Sequence, residues 1–280
     1  MSLLQIILLA IIQGITEFLP VSSSGHLVVV NRLLETWGHA PVQDLIEVSI
    51  FLHLGTLAAV LVFYRREIAR LFGSDRRVLG LLVVGTLPAA ILGVWIKKGL
   101  PTETSNLILN NVLLAGCMFP ITAAGLLWAA RLNRNEGAPP LDDEVSSQVD
   151  GDYPQLSWGK TLVIGLLQAL ALLPGISRSG STIVAGLGVG LQREAAATFA
   201  FLLAIPAIGG AGVLELAEVW QEGSTGTPPA TLAAGFTVSM LVGLVALTLL
   251  IRWVRQGRLA MFAYYLIPLG VAVVSWQLAG

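Results

Sequence analysis

Charge is what this chain has least of. Only 12% of its 280 residues are Asp, Glu, Lys or Arg, against about 25% in a soluble domain. Hydrophobic residues make up 55%, and the mean hydropathy is +0.80. About half of the usual solvating surface is missing, which excludes a soluble globule and leaves a polytopic membrane protein. A net charge of −1 lacks the basic footprint of a nucleic-acid binder. The single cysteine, Cys117, lies in an apolar run and excludes a disulfide framework. No Lys or Arg precedes Arg32, and Glu17 interrupts the first apolar stretch. That is not the pattern of a signal peptide, so the segment is expected to stay in the mature chain. No Walker sequence, zinc-type His-Glu pair or dinucleotide fingerprint is present.

What the chain does have is apolar length. A spanning helix needs roughly 20 apolar residues, and six windows qualify: about 45–64, 78–96, 107–130, 195–217, 230–251 and 259–279. The remaining apolar pieces, 3–12, 27–30, 161–173 and 182–191, are too short to span. They flank two polar knots and read as the arms of two re-entrant hairpins. The order is hairpin, three spans, hairpin, three spans. A hairpin returns to its own side, so three crossings turn the second unit upside down. The expected fold is all-α and polytopic, an inverted-topology repeat of six transmembrane helices plus two re-entrant helical hairpins. Residues 1–130 form the first repeat, 131–159 a linker and 160–280 the second repeat, within one integral membrane domain.

Basic residues set the orientation. Twelve fall in one set of loops (Arg65, Arg66, Arg70, Arg76, Arg77, Arg131, Arg134, Lys160, Arg193, Arg252, Arg255 and Arg258), and three on the other side (Arg32, Lys97 and Lys98). The positive-inside rule places the twelve in the cytoplasm and both termini outside. The linker holds Glu136, Asp142, Asp143, Glu144, Asp150 and Asp152 with three prolines, and reads as a flexible cytoplasmic connector.

The two knots are related. Shifting 13–26 by 155 positions lays Gln13 on Gln168, Ser22 on Ser177, Ser24 on Ser179 and Gly25 on Gly180. Ser23 then falls on Arg178, and His26 on Ser181. Polar, irregular backbone at membrane depth is tolerated only inside protein or beside a water-filled cavity. Paired interrupted segments in two halves point to a binding site between the repeats.

Arg178 is the sharpest clue, since a guanidinium in apolar surroundings costs at least about 2.5–3.5 kcal/mol and marks a substrate path. Gly175, Ser177, Ser179, Gly180 and Thr182 around it supply hydroxyls and backbone N–H groups. A helix beginning near Thr182 would add its positive dipole end. Together they suit a phosphate; the plainer reading is an ion pair of Arg178 with Glu17 that locks the hairpins. Glu17, four residues after Gln13 on one helix face, could hold a divalent cation or act as base or proton relay. His26 could transfer a proton or attack phosphorus. Among Ser22, Ser23 and Ser24, the middle serine is the best candidate nucleophile or phosphate ligand; small residues also serve helix packing. Asp44, Glu47 and His53 read as interface or packing residues, and His39 as a loop histidine.

At these residues the chain resembles the bacitracin-resistance type of undecaprenyl-diphosphatase. The family's motifs, (Glu/Gln)-x-x-x-Glu leading into Phe-Leu-Pro-Val-Ser-Ser-(Ser/Thr)-Gly-His and Pro-Gly-x-Ser-Arg-Ser-Gly-x-Thr, stand here as Gln13 to His26 and Pro174 to Thr182. The resemblance covers the whole chain in length and hydropathy. It implies a bacterial plasma-membrane hydrolase, with its site facing outward, that converts undecaprenyl diphosphate to the monophosphate. That activity recycles the lipid carrier for peptidoglycan synthesis and confers bacitracin resistance. It further implies Glu17, Ser23, His26 and Arg178 as the catalytic set and a divalent cation, Mg2+ or Ca2+, on Glu17. Gln13, Ser22, Ser24, Gly175, Ser177, Ser179, Gly180 and Thr182 would touch substrate. The family's first acidic position is Gln13 here, which leaves Glu17 as the carboxylate for the cation. The expected partners are a polyprenyl diphosphate and the bilayer, with a homodimer open and no nucleic acid. The rival is a secondary transporter or flippase for a phosphorylated lipid, which shares this architecture.

Overall fold

A computed structural model describes residues 3–37, 45–132, 153–222 and 227–279. His39, Asp44 and the linker acids Glu136 to Asp152 lie outside the described residues, and nothing is described of the Glu47 side chain. The described chain is helical, with no strand among the described residues. Twelve α-helices follow in order: α1 (Leu3–Thr16), α2 (Ser23–Thr36), α3 (Leu45–Phe63), α4 (Arg65–Leu71), α5 (Arg76–Val94) and α6 (Thr102–Leu109), then α7 (Val112–Leu132), α8 (Trp158–Leu170), α9 (Arg178–Gly188), α10 (Arg193–Glu222), α11 (Pro229–Arg255) and α12 (Ala260–Ala279). A π-helical turn, Trp95–Gly99, extends α5.

Among the described residues, five segments are long and apolar enough to cross a membrane: Arg76–Gly99, Val112–Leu132, Arg193–Ala217, Pro229–Arg255 and Ala260–Ala279. There is a sixth if α3 and α4, bent by 77° at the break between them, are counted as one span. The chain is an all-α, multi-pass membrane protein. Helices α1 and α8 are apolar but too short to span, as the sequence predicts for hairpin arms.

Three boundaries differ from expectation. Helix α9 starts at Arg178 rather than near Thr182, because Ser177 caps it by accepting the Gly180 N–H. The window 107–130 is broken, because Asn111 accepts the Leu114 N–H at 2.8 Å and starts α7 afresh, leaving 102–109 as a separate helix. The linker's last residues are held rather than flexible. Tyr153 and Leu156 are buried, and Arg77 donates to the carbonyls of Pro154 and Leu156. At the same end of the bundle Arg70 pairs with Asp75 at 3.2 Å and Arg255 with Glu194. This basic end is therefore knit by its own carboxylates and carbonyls.

The packing exchanges between the two halves of the chain. Helix α1 lies on α11, and α8 lies on α5, while α3 meets α10 and α7 meets α12. The first pair comes within backbone contact because side chains are missing at the crossings. A Cβ on Gly14 would stand 2.9 Å from the Ser239 carbonyl oxygen, and one on Gly165 would stand 2.5 Å from that of Gly85. Such close approach by small residues is the usual basis of helix association in lipid. Helix α10 is the most buried span and presents an alanine-rich face (Ala195, Ala196, Ala197, Ala200 and Ala204) with Phe201. Phe201 meets Phe18 edge-on at 5.7 Å, which anchors the first hairpin's turn against the core.

Candidate active site

The turns of the two hairpins meet tip to tip inside the bundle. Each ends in a serine that caps the returning helix: Ser22 accepts the Gly25 N–H at 3.3 Å, and Ser177 accepts the Gly180 N–H at 3.1 Å. These are equivalent bonds under the 155-residue shift, and so are Ser22 to Ser24 (3.4 Å) and Ser177 to Ser179 (3.2 Å). A repeat visible as letters is thus a repeat of hydrogen bonds. Consequently α2 and α9 both begin at the junction, and two positive helix ends converge where the sequence suggested one.

Ser22 also accepts the Gly175 N–H at 3.2 Å, joining the two turns. It does so at φ 72°, left-handed backbone that a serine rarely adopts, a strain of the kind that gathers at functional sites. Gly175 sits at φ 93°, and a Cβ there would lie 2.3 Å from the Ala115 carbonyl oxygen, so no other residue fits. Thr122 on α7 clamps the same turn: its hydroxyl donates to the Gly175 carbonyl (3.0 Å) and accepts from Ser177 N–H (3.1 Å). Ser179 reaches the Leu19 carbonyl at 3.3 Å, and Thr182 bonds back to Arg178 and Ser179 carbonyls within α9. The hydroxyls of Ser22, Ser177 and Thr182 are therefore engaged in shaping the turns. Ser24 alone among the serines of the first knot is exposed.

One pair of equivalent positions that differ between the knots, Ser23 and Arg178, converges on one carboxylate. Ser23 and Arg178 are the first residues of α2 and α9. Ser23 Oγ donates to Glu17 Oε2 at 2.6 Å, and Arg178 Nη2 donates to Glu17 Oε1. Gln13 Nε2 is the carboxylate's third donor, reaching Oε2 at 2.9 Å. Glu17 is 6% exposed and Gln13 is fully buried. The ion pair weighed from sequence is present. It does not exhaust the guanidinium, however, because Arg178 Nη1 is buried with no hydrogen-bond partner. An unpaired donor of a charged group costs more than a neutral one, and a second anion at this point would satisfy it.

His26 makes its own hydrogen bonds outside this carboxylate cluster. Its Nδ1 lies 2.7 Å from the Ser22 carbonyl, and its Nε2 lies 2.8 Å from the Tyr265 hydroxyl on α12. Phe119 packs against the ring at 5.3 Å.

The family model described as "Bacitracin resistance protein BacA" matches residues 6–272. This chain belongs to that family. It is 45% identical over 278 residues to a Rhodopirellula baltica protein named undecaprenyl-diphosphatase, covering 99% of each chain. Proteins of the same name from Desulfatibacillum aliphaticivorans and Rubrobacter xylanophilus are 39% and 35% identical, with 98% of each chain covered.

Three residues of this BacA-family chain escaped the sequence reading. His53, read there as packing, brings Nε2 to 3.8 Å from Glu17 Oε2, with Nδ1 held 2.8 Å from the Ser49 carbonyl. Thr122 and Tyr265 carried no signal, since each sits in an unbroken spanning helix. Only for His53 did a cue exist: an imidazole in an apolar span is itself unusual.

The donor set was weighed against a divalent cation. No group of three or more His, Cys, Asp or Glu is gathered among the described residues. Gln13 Oε1, however, is a buried acceptor without a partner beside Glu17. One carboxylate and one amide oxygen fit a hard cation that keeps water and takes its other ligands from substrate phosphates.

Proposed function

We propose that this protein hydrolyses undecaprenyl diphosphate to undecaprenyl phosphate and inorganic phosphate, recycling the lipid carrier of cell-wall synthesis and conferring bacitracin resistance. The observation that carries the reading is the chain Ser23–Glu17–Arg178, in which one carboxylate holds a hydroxyl proton while the guanidinium keeps a free donor. Family membership and the relatives' shared name support the same activity.

Arg178 Nη1 and the N-terminal ends of α2 and α9 hold the diphosphate oxygens and stabilise charge on the transferring phosphoryl group. Ser23 Oγ attacks the terminal phosphorus and passes its proton to Glu17 Oε2, which already accepts its hydrogen bond. Undecaprenyl phosphate departs. Water then cleaves the phosphoseryl ester while Ser23 recovers its proton from Glu17; His26 Nε2 takes the water's proton once the Tyr265 hydroxyl that now donates to it turns away. Glu17 and Gln13 would hold a divalent cation, Mg2+ or Ca2+, which when bound supplies positive charge to the phosphate oxygens. His53, close to Glu17, adds a further polar group on the same side.

The protein resides in the bacterial plasma membrane, with the site opening outward and the twelve-residue basic end in the cytoplasm. Residues 1–130 and 160–280 act as two inverted repeats around this site. The exchange of α1 on α11 for α8 on α5 and the equivalent serine caps support that division. The prenyl tail lies in lipid-facing grooves between spans. The deciding experiment is phosphate release from undecaprenyl diphosphate by purified protein in detergent, with Ser23→Ala as the comparison. A transporter or flippase would release none. Loss of turnover in Ser23→Ala with substrate still bound is the result expected of a nucleophile, and a surviving rate would move the attack to His26 or water.

A further inference from the structure

His53 is an imidazole in an apolar span that neither hydrolytic step uses. The Ser49 carbonyl, one turn earlier on α3, can only accept, so the 2.8 Å contact puts a hydrogen on His53 Nδ1. Nε2 of the neutral ring then carries the lone pair. It stands 3.8 Å from Glu17 Oε2, too far for a hydrogen bond, so two electron-pair donors flank one gap. Two atoms bound to one cation at about 2.1 Å stand about 3–3.4 Å apart at octahedral or tetrahedral angles, and at most about 4.2 Å. The observed spacing lies within the span of a shared ion. The Nδ1 bond is also the support that metal-binding histidines commonly have, since it fixes the tautomer and turns Nε2 outward.

We propose that His53 Nε2 is a ligand of the cation held by Glu17 and Gln13, which makes the site a mixed nitrogen and oxygen one that favours a divalent transition metal such as Mn2+ over Ca2+. This rests on the reading of a cation at Glu17. Oε2 now accepts from both Ser23 and Gln13, so an ion there must replace one donor. A half-turn of the Gln13 amide does so: it withdraws Nε2 and brings in Oε1, the buried acceptor without a partner. The amide oxygen then takes the nitrogen's place, 2.9 Å from Oε2, close to the about 3 Å edge of an octahedron of ligands at 2.1 Å. The bond that the amide gives up is replaced by the ion. Arg178 keeps Oε1 of Glu17. Imidazole is a ligand that transition metals accept readily, whereas Ca2+ takes oxygen. His53 thus supplies a third protein ligand where the family's other carboxylate is replaced by Gln13.

The test is Mn2+ binding to the tag-free full chain in detergent, followed by pulsed electron paramagnetic resonance. With histidine labelled by nitrogen-15, the bound Mn2+ should show the coupling of a directly attached imidazole nitrogen. His53→Gln keeps a polar side chain but no imidazole: the coupling should vanish and the Mn2+ Kd should rise at least about tenfold, the least that even a supporting residue of a metal site commonly costs. Ca2+ should displace Mn2+ poorly from wild type and more readily from His53→Gln. The chain holds three histidines, so the double variant His26→Asn with His39→Asn should keep the coupling; it assigns the signal to His53 even if His53→Gln fails to fold. Bound Mn2+ without a nitrogen coupling overturns the proposal, as does a coupling that survives in His53→Gln or disappears in the double variant. No Mn2+ binding at all overturns it together with the cation at Glu17. A wild-type protein that shows the coupling yet releases no phosphate from undecaprenyl diphosphate refutes the hydrolase reading and leaves the ligand in place.

Discussion

Replacing Arg178 by lysine keeps the charge and removes one of two donors that the structure uses differently. Nη2 is committed to Glu17, and Nη1 is the buried nitrogen without a partner. Lysine offers one nitrogen where both are wanted, and lacks the planar fork that grips two oxygens at once. If the ammonium stays on Glu17, the phosphoryl group loses a preorganised donor, a change that commonly costs about 10²–10³ in kcat, or about 2.7–4 kcal/mol. If it turns to the phosphate, Glu17 is left as a buried unpaired carboxylate, and breaking such a pair costs about 3–5 kcal/mol. Either route predicts a kcat at least about a hundredfold lower. Binding of substrate should weaken much less, because helix ends α2 and α9 still face the diphosphate. The assay is phosphate release at saturating undecaprenyl diphosphate, with binding measured separately and folding checked by size-exclusion profile. Turnover within about threefold of wild type would refute the reasoning and reduce Arg178 to a lock between the hairpins.

Glu17→Gln keeps volume but turns one of two accepting oxygens into a donor and removes the base that takes the Ser23 proton, so it should abolish turnover. Wild-type turnover should fall on chelation and return with added Mg2+ or Ca2+, and an enzyme indifferent to chelators would dismiss the cation. Gly175→Ala forces a Cβ to within 2.3 Å of the Ala115 carbonyl at φ 93°; backbone strain of about 1–2 kcal/mol adds to overpacking of about 1–3 kcal/mol. The second turn should shift and activity collapse, and an unchanged melting temperature and rate would show that the tips are looser than the packing implies. In a Cys117→Ser background, a membrane-impermeant thiol reagent applied from outside should label Thr104→Cys and miss Ser147→Cys; the reverse pattern would invert the proposed orientation.

The apolar windows and the scarcity of charge by themselves determined a multi-pass helical protein, because crossing a bilayer demands length and leaves little choice of backbone. Four short arms flanking two polar knots were legible for the same reason: none is long enough to span. Arg178 and Glu17 stood out since a charge at that depth is costly unless it is paired or functional. Helix ends were less legible, as at Asn111, where a cap inside an apolar window restarts the helix. Only the tertiary structure decided which atoms meet. Spacing on one helix tells which face a residue shares, but the partner on another helix depends on how the two pack. The letters could not say that Ser23 and Arg178 meet on opposite oxygens of Glu17, or that Thr122 clamps the second turn. Nor could they say that His53 approaches Glu17 and that Tyr265 holds His26. Those contacts join elements far apart in sequence, brought together by close helix crossings such as Gly165 on Gly85, and short-range pattern carries no record of them.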